Sequence, residues 1–543
     1  MDRTKSLQGL EKVKKWDLIV IGGGATGLGV AVDAASRGYR TLLLEQADFA
    51  KGTSSRSTKL VHGGVRYLEQ GNVRLVREAL FERGHILRNA PHLAKRLAFI
   101  IPVYSLWESL KYTIGLKLYD LMAGGQRIGK SVFLRKDKVI ETLPGVKTAK
   151  LKGGVLYFDG QFDDARMAIN LAQTCEDHGG TVLNYCLVTA LLKDEAGKVS
   201  GVQFIDQESG SRYQLQASVV VNATGVFVDE IHRMDSGKEQ RTIQPSQGIH
   251  LVLPPDFLET TLCALMIPRT DDGRVLFLVP WHDHLLMGTT DTPIDEHTLE
   301  PRALEEEISF ILRNAGKYLK KAPGRSDVLS IFAGLRPLAL PDSSKGGKAT
   351  KDISRNHSLQ VSSSGLITIT GGKWTTYRRM AKDTVDRAIV VGGLTPADCV
   401  TADMKIHGWS ISKEVTERWT MYGSDAAEIR AMLMNHPDWS EQIDDQWDIT
   451  RAEVLWSVKM EMARTVEDIL SRRFRILFLD ARAAIRMAPK VARILSEELS
   501  QNEQWEQHQV ASFTELATEY LLTEEGTFKD FSDKNVNGKT TSN

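Results

Sequence analysis

Residues 16–45, WDLIVIGGGATGLGVAVDAASRGYRTLLLE, constrain the fold more than any other stretch. They read as strand, glycine turn, helix and strand. Residues 17–21 form the short apolar run of a strand buried on both faces. Gly22, Gly24 and Gly27 then make G-x-G-x-x-G, with Gly23, Ala25 and Thr26 between them. The first glycine allows a tight turn. The second lets a pyrophosphate approach the backbone, and the third lets helix pack on strand. The helix start offers free N–H groups and a partial positive charge to that phosphate. Residues 40–44 make the second strand, and Glu45, 23 positions after Gly22, ends it. That is close to the spacing of a carboxylate that bonds ribose hydroxyls. The stretch predicts a dinucleotide site in an α/β domain; the alternative is a glycine-rich turn with no ligand.

A chain of 543 residues has room for two to four domains. Lys+Arg (69) equals Asp+Glu (69), so overall charge gives no reason to expect a nucleic-acid partner. Cys175, Cys186, Cys263 and Cys399 form no C-x-x-C pair, so no metal or redox motif is evident. Such sparse thiols fit a reducing compartment. The first fifteen residues are polar and lack the apolar core of a signal peptide. No run reaches the ~18 apolar residues of a spanning helix. The protein is expected in the cytoplasm, or on a membrane surface without crossing it.

Further along, residues 52–58 form a Ser/Thr-rich loop whose hydroxyls, at Thr53, Ser54 and Ser55, could bond phosphate or flavin oxygens. A plain turn is the alternative. Trp107, Leu110, Ile114, Leu118 and Leu121 recur at spacings of three and four, the mark of an amphipathic helix. Packing on the protein's own core is the preferred reading, and insertion into a lipid interface the alternative. A second apolar strand, 219–221, runs into Ala223, Thr224 and Gly225, as suits the far side of the same dinucleotide. A third, in GLITITGGKWTTYRR at 365–379, runs into Gly372, Lys373 and Thr375.

The resulting organisation is an α/β protein: a Rossmann-like dinucleotide domain, a mixed-sheet substrate domain and an α-helical C-terminal domain. The dinucleotide domain is expected in three parts, 16–95, 151–240 and 331–395. Residues 96–150 are an insert on the substrate side, 241–330 the substrate domain, 396–523 the helical domain and 524–543 a polar, disordered tail.

Three widely spaced glycine turns, interrupted by other segments, suggest FAD rather than NAD. The strings TSSRSTKLVHGGVRYLEQG (53–71), ATG (223–225), VPWHDHLLMGTTDTP (279–293), FAGLRPL (332–338) and TGGKWTTYR (370–378) resemble those of the FAD-dependent glycerol-3-phosphate dehydrogenases. The resemblance runs from about residue 16 to at least 395, and more loosely into the helical region. It implies noncovalent FAD, hydride transfer from carbon 2 of sn-glycerol 3-phosphate to flavin N5, and passage of electrons to a membrane quinone. A related oxidase using oxygen, and a catalytically silent flavoprotein, are the competing readings. The implied partners are glycerol 3-phosphate, the quinone and an anionic lipid surface on the inner face of the cell membrane, with a homodimer allowed.

The resemblance also implies site residues. Arg66, Arg336, Arg355 and Lys373 match basic positions of the family's active site, where guanidinium groups can grip a phosphate in bidentate fashion. Tyr67 is a further substrate contact, or else a core aromatic. His250 is the best candidate for the base that takes the carbon-2 hydroxyl proton, with a buried structural histidine as its competitor. His62, Gly63, Gly64 and Gly334 join the cofactor set, His62 more as a support of its loop. Lys373 has a second role open to it, favouring negative charge on the reduced flavin ring. Thr290 and Asp291 match the GTTD string without a derivable role. No metal site is expected, and no calcium-binding D-x-[DN]-x-[DN]-G run occurs.

Residues 451–495 carry ten Lys/Arg and five Asp/Glu, with Arg472, Arg473, Arg475, Arg482 and Arg486 clustered. Two readings stand level: a solvated or domain-facing helix surface, and attraction to anionic lipid at roughly 1 kcal/mol per basic group.

Overall fold

The computed structural model describes the chain except residues 66–67, 69–70, 240, 341–356, 412–416, 524–525 and 528–543, and the side chains of 417, 418, 523, 526 and 527. Arg66, Tyr67, Arg355 and most of the expected disordered tail therefore lie outside the described residues.

In chain order, the elements that build the site begin with β1 (Trp16–Ile21), α1 (Ala25–Ser36) and β2 (Thr41–Leu44). Helix α2 (Leu106–Ala123) and helix α3 (Asp164–Asp177) follow. Then come β3 (Arg212–Asn222), β4 (Ile243–Leu253), β5 (Ser330–Ala339), β6 (Ile367–Thr370) and α4 (Tyr377–Gly392).

Two sheets organise the molecule. In the first, β6, β3, β1, β2 and Thr181–Leu183 lie side by side and parallel, with β1 at the centre between β3 and β2. Strand β1 is almost wholly buried, as its unbroken apolar run requires. Leu18 and Val20 pack with Leu28 and Ala31 of α1 and with Ala381 and Val385 of α4. The three strand-to-glycine turns at 22–27, 223–225 and 371–372 thus leave neighbouring strands at the same, carboxyl edge, where ligands of open α/β sheets bind.

The second sheet has ten strands. Strand β4 pairs antiparallel with β5 over ten residues and with His284–Gly288 on its other side. The sheet also takes in Leu60–Val61, Ala94–Val103, Val132–Arg135 and Gly153–Phe162. Gly153–Phe162 and β5 were expected with the dinucleotide-binding parts; they pair in this second sheet instead. An apolar strand reads alike in either sheet, because its partners are distant in sequence.

The C-terminal region holds helices Arg451–Glu461, Ala481–Glu498 and Glu503–Thr518, and a small hairpin, Gln442–Asp444 and Trp447–Thr450. Its basic cluster corrects the surface reading. Arg472, Arg473 and Arg475 are buried. Arg472 and Arg473 both donate to Asp48, and Arg472 also to Glu467 and Asp468. Burial pushes the Asp48 carboxyl up, but the two guanidinium groups outweigh it and hold it at about 2. These arginines are internal fasteners between the C-terminal region and the first sheet. Of the cluster, only Arg482 and Arg486 face outward.

Helix α2 departs from expectation in the opposite sense. Leu106 (82% exposed), Trp107 (74%), Ile114 (59%) and Leu121 (76%) point away from the core, with Leu110 and Leu118 on the same stripe. Only Leu116, Tyr119 and Ala123 are buried beneath it.

Candidate active site

The carboxyl edge of the first sheet and the cavity-facing side of the second enclose a cavity of about 860 Å³. That is near the upper end of the roughly 300–1,000 Å³ usual for small-molecule sites. The glycine turn comes first. Gly22 has φ +109°, and a Cβ there would stand 2.6 Å from the Ala223 carbonyl oxygen. At Gly27 it would stand 1.9 Å from the Gly22 carbonyl oxygen. No side chain fits at either place, so both glycines are required by the turn. Ala25 N–H donates to Ser54 Oγ at 2.9 Å, which ties the Ser/Thr loop to the start of α1. The Glu45 carboxylate accepts from Gly23 N–H (2.5 Å) and Ala47 N–H (2.8 Å) and stands on the cavity wall. Burial raises its pKa, against the pull of those two bonds.

Gly22, Gly24, Ala25, Thr26, Glu45, Thr53, Ser54, His62, Gly64, Ala223, Thr224, Gly225, Gly334, Gly372, Lys373 and Thr375 all line this one cavity. Gly23, Gly27, Ser55 and Gly63 do not; they stand behind the wall. Ser55 in particular is fully buried and offers its carbonyl oxygen to Lys59 Nζ and Arg475 Nη2, a support rather than a contact. The residue set fits a dinucleotide: a helix start with its partial positive charge, small residues where a pyrophosphate must approach, and a carboxylate at the end of β2. Lys373 precedes a single tight turn, Trp374–Thr376, before α4 begins at Tyr377. Thr375 Oγ1 accepts from His62 N–H at 3.2 Å, joining the third glycine turn to the HGG loop.

The reactive side of the cavity is built by β4 and β5. Ser246, Gly248 and His250 alternate along β4, and Gly248 is paired with Gly334 and Ser246 with Arg336. Arg336 donates from Nη1 to the Gln247 carbonyl oxygen (3.2 Å) and Asp291 Oδ1 (3.4 Å). From Nη2 it donates to Thr289 Oγ1 and the Thr290 carbonyl oxygen, both at 3.1 Å. A Cβ on Gly248 would lie 2.2 Å from Arg336 Nη2, so the guanidinium occupies the space that the missing side chain leaves. Ser246 Oγ also donates to Asp291, which gives the GTTD string the role the sequence withheld.

His250 is buried and stacks on Phe332 with ring centroids 5.0 Å apart. Burial, then the nearby charges of Lys59 and Arg336, hold its pKa well below the usual histidine range, so it is neutral. Its Nε2 is 2.9 Å from Thr58 Oγ1. Thr58 is a contact the sequence reading missed, hidden in a loop read only for cofactor hydroxyls. A further part of the lining is apolar: Phe99, Tyr157, Met266 and Phe277, all from the second sheet.

Residues 17–378 match the family model described as FAD dependent oxidoreductase, and 364–509 match the C-terminal domain of alpha-glycerophosphate oxidase. The mitochondrial glycerol-3-phosphate dehydrogenase of Mesocricetus auratus is 40% identical over 96% of this chain and 75% of its own length. The human protein of that name is 38% identical with the same coverage. Among solved structures, the glycerol-3-phosphate dehydrogenase from Bacillus halodurans complexed with FAD matches with a TM-score of 0.75 and 29% identity, over 96% of this chain and 97% of that one.

Proposed function

This chain belongs to the FAD-dependent glycerol-3-phosphate dehydrogenase family, and we propose that it oxidises sn-glycerol 3-phosphate to dihydroxyacetone phosphate and passes the electrons to a membrane quinone. The observation that carries the reading is the convergence of Arg336 and His250 on the cavity that the three glycine turns also line. When bound, FAD supplies the two-electron acceptor at flavin N5. The remaining work falls to side chains. Arg336, held in place by Asp291, Thr289 and two carbonyl oxygens, meets the substrate phosphate; Arg66, Tyr67, Arg355 and Lys373 are proposed with it. His250, kept neutral by burial and the nearby cations, takes the proton of the carbon-2 hydroxyl. The arriving dianion favours that step, because its charge offsets the cations that depress the imidazole.

The apolar wall of Phe99, Tyr157, Met266 and Phe277 suits an apolar electron acceptor. The exposed stripe of α2 suits shallow insertion into a lipid interface. Residues 106–138 carry seven Lys/Arg against three Asp/Glu; Lys111 and Lys117 on the helix and Lys130, Arg135, Lys136 and Lys138 in the segment after it are exposed. The anionic-lipid surface therefore belongs here rather than at 472–486. No helix among the described residues is long and apolar enough to cross a membrane.

The test is loss of the bound flavin's visible absorbance when glycerol 3-phosphate is added without oxygen. A flavin that stays oxidised overturns the substrate. Reoxidation by a short-chain ubiquinone supports the acceptor, whereas fast reoxidation by oxygen with peroxide release makes the protein an oxidase.

A further inference from the structure

The loop that carries Thr58 is fastened on both sides from within. Ser57 donates through N–H (3.1 Å) and Oγ (2.7 Å) to Asp164 Oδ2 at the start of α3. Lys59 Nζ donates to the same oxygen (2.7 Å) and to the Ser55 carbonyl oxygen (2.6 Å). Lys59 has φ +62°, an uncommon conformation for a residue with a side chain, kept by that fully buried pair. Lys59 is turned inward and Ser57 is anchored to Asp164, and Thr58 between them lies on the cavity wall with its hydroxyl against His250.

The two nitrogens of His250 are not equivalent. Nδ1 is buried with no hydrogen-bond partner among the described residues, and Nε2 is taken by the Thr58 hydroxyl. The hydrogen-bonded route to Nε2 therefore runs through the Thr58 oxygen, which itself lines the cavity. A threonine hydroxyl both accepts and donates, so it can take one proton while giving up another.

We propose that Thr58 is a catalytic residue, a one-step proton relay between the substrate hydroxyl and His250. The inference rests on the substrate reading above. The carbon-2 O–H bond breaks and its proton goes to Thr58 Oγ1. The proton already on Oγ1 goes to His250 Nε2, giving an imidazolium with its other proton on Nδ1. The C–H bond of carbon 2 breaks as well; its electron pair would leave as hydride to FAD when that is bound, and carbon 2 becomes a ketone. Thr58 ends as it began, and His250 holds the proton until it is released. Ser57 and Lys59 act only by holding the relay in register.

The test compares wild type, Thr58→Val and Thr58→Ser as FAD-loaded enzymes, by the rate of anaerobic flavin reduction at saturating glycerol 3-phosphate. Valine keeps the shape and removes the hydroxyl; serine keeps the hydroxyl. Thr58→Val should lose about 100-fold or more in the reduction rate, the scale of one positioned acid–base group. FAD content and substrate Kd should be unchanged. Thr58→Ser should reduce within a few-fold of wild type and keep the solvent deuterium effect that the valine variant loses. A valine variant as fast as wild type overturns the relay, as does a serine variant as slow as valine. A wild type that glycerol 3-phosphate does not reduce overturns the substrate reading and the relay with it; a reducible wild type beside an unimpaired valine variant overturns the relay alone.

Discussion

Arg475 Nη2 lies 2.9 Å from Asp164 Oδ1, with both side chains buried. The contact joins the C-terminal region to the first residue of α3, and through Asp164 to Ser57 and Lys59 of the cavity loop. A helical region that adds no side chain to the cavity lining among the described residues thus fixes the loop that does.

Removing Arg475 should therefore reach the site from a distance. Breaking a buried ion pair from one side typically costs about 3–5 kcal/mol, because the other charge stays buried. Lys59 and Ser57 remain on Asp164, so the lower half of that range is expected for Arg475→Met. The expected result is a clear fall in Tm together with weaker FAD retention on dialysis. A variant with wild-type Tm would show that the pair is not a fastener.

Arg336 is expected to serve the phosphate rather than the flavin. Removing one partner of a buried charged contact costs about 2–5 kcal/mol, or roughly 30- to several-thousand-fold in kcat/KM. Arg336→Ala should show that loss on glycerol 3-phosphate and almost none on the feeble oxidation of glycerol. Gly248→Ala should imitate it, since the added Cβ would stand 2.2 Å from Arg336 Nη2 and 2.6 Å from Thr289 Oγ1. Steady-state kinetics on both substrates checks this. Equal proportional losses on the two would assign Arg336 to the carbon-2 hydroxyl or the flavin.

His407 should make stability depend on pH. It bridges Asp177 at the end of α3 (2.7 Å) and Asp425 of the C-terminal region (3.1 Å). Burial lowers its pKa, but the two carboxylates more than offset this and raise it to about 9. The unfolded chain titrates near 6.5. A group whose folded pKa is raised contributes stability that is full below about 6.5 and is lost as pH rises through about 9. The Tm deficit of His407→Gln should accordingly be largest at acid pH and vanish above about pH 9. A deficit that is flat across pH would mean the bridge works by packing rather than charge.

Membrane attachment should be decided by α2. Leu110→Glu with Ile114→Glu places two carboxylates on its exposed apolar stripe without touching the buried Leu116 or Tyr119. Wild type should sediment with anionic vesicles, less with neutral ones, and less again as salt screens the basic flank. The double variant should stay in the supernatant under all three conditions. Sedimentation of the variant equal to wild type would move the docking surface elsewhere; no sedimentation of wild type would remove it.

What the sequence determined alone is what local backbone chemistry controls. Gly22 and Gly27 can be read because a turn that admits no Cβ admits few other residues. Glu45 can be read because the length of one strand–helix–strand unit is nearly constant. The three glycine turns that gather at the cavity were legible because each follows an apolar strand. What only the tertiary structure decided depends on partners distant in the chain. Gly153–Phe162 and β5 pair in the second sheet, and an apolar strand carries no mark of its neighbours. The arginines at 472–475 count as a positive surface in any window of sequence, yet Asp48 and Asp164, some 300 to 400 positions earlier, enclose and neutralise them. The period of α2 fixed an apolar stripe but not what covers it, because that is a property of the surface left after everything else has packed. Thr58 looked like one hydroxyl among several in a Ser/Thr loop. It was singled out only when the fold fastened its two neighbours to Asp164 and set it against His250.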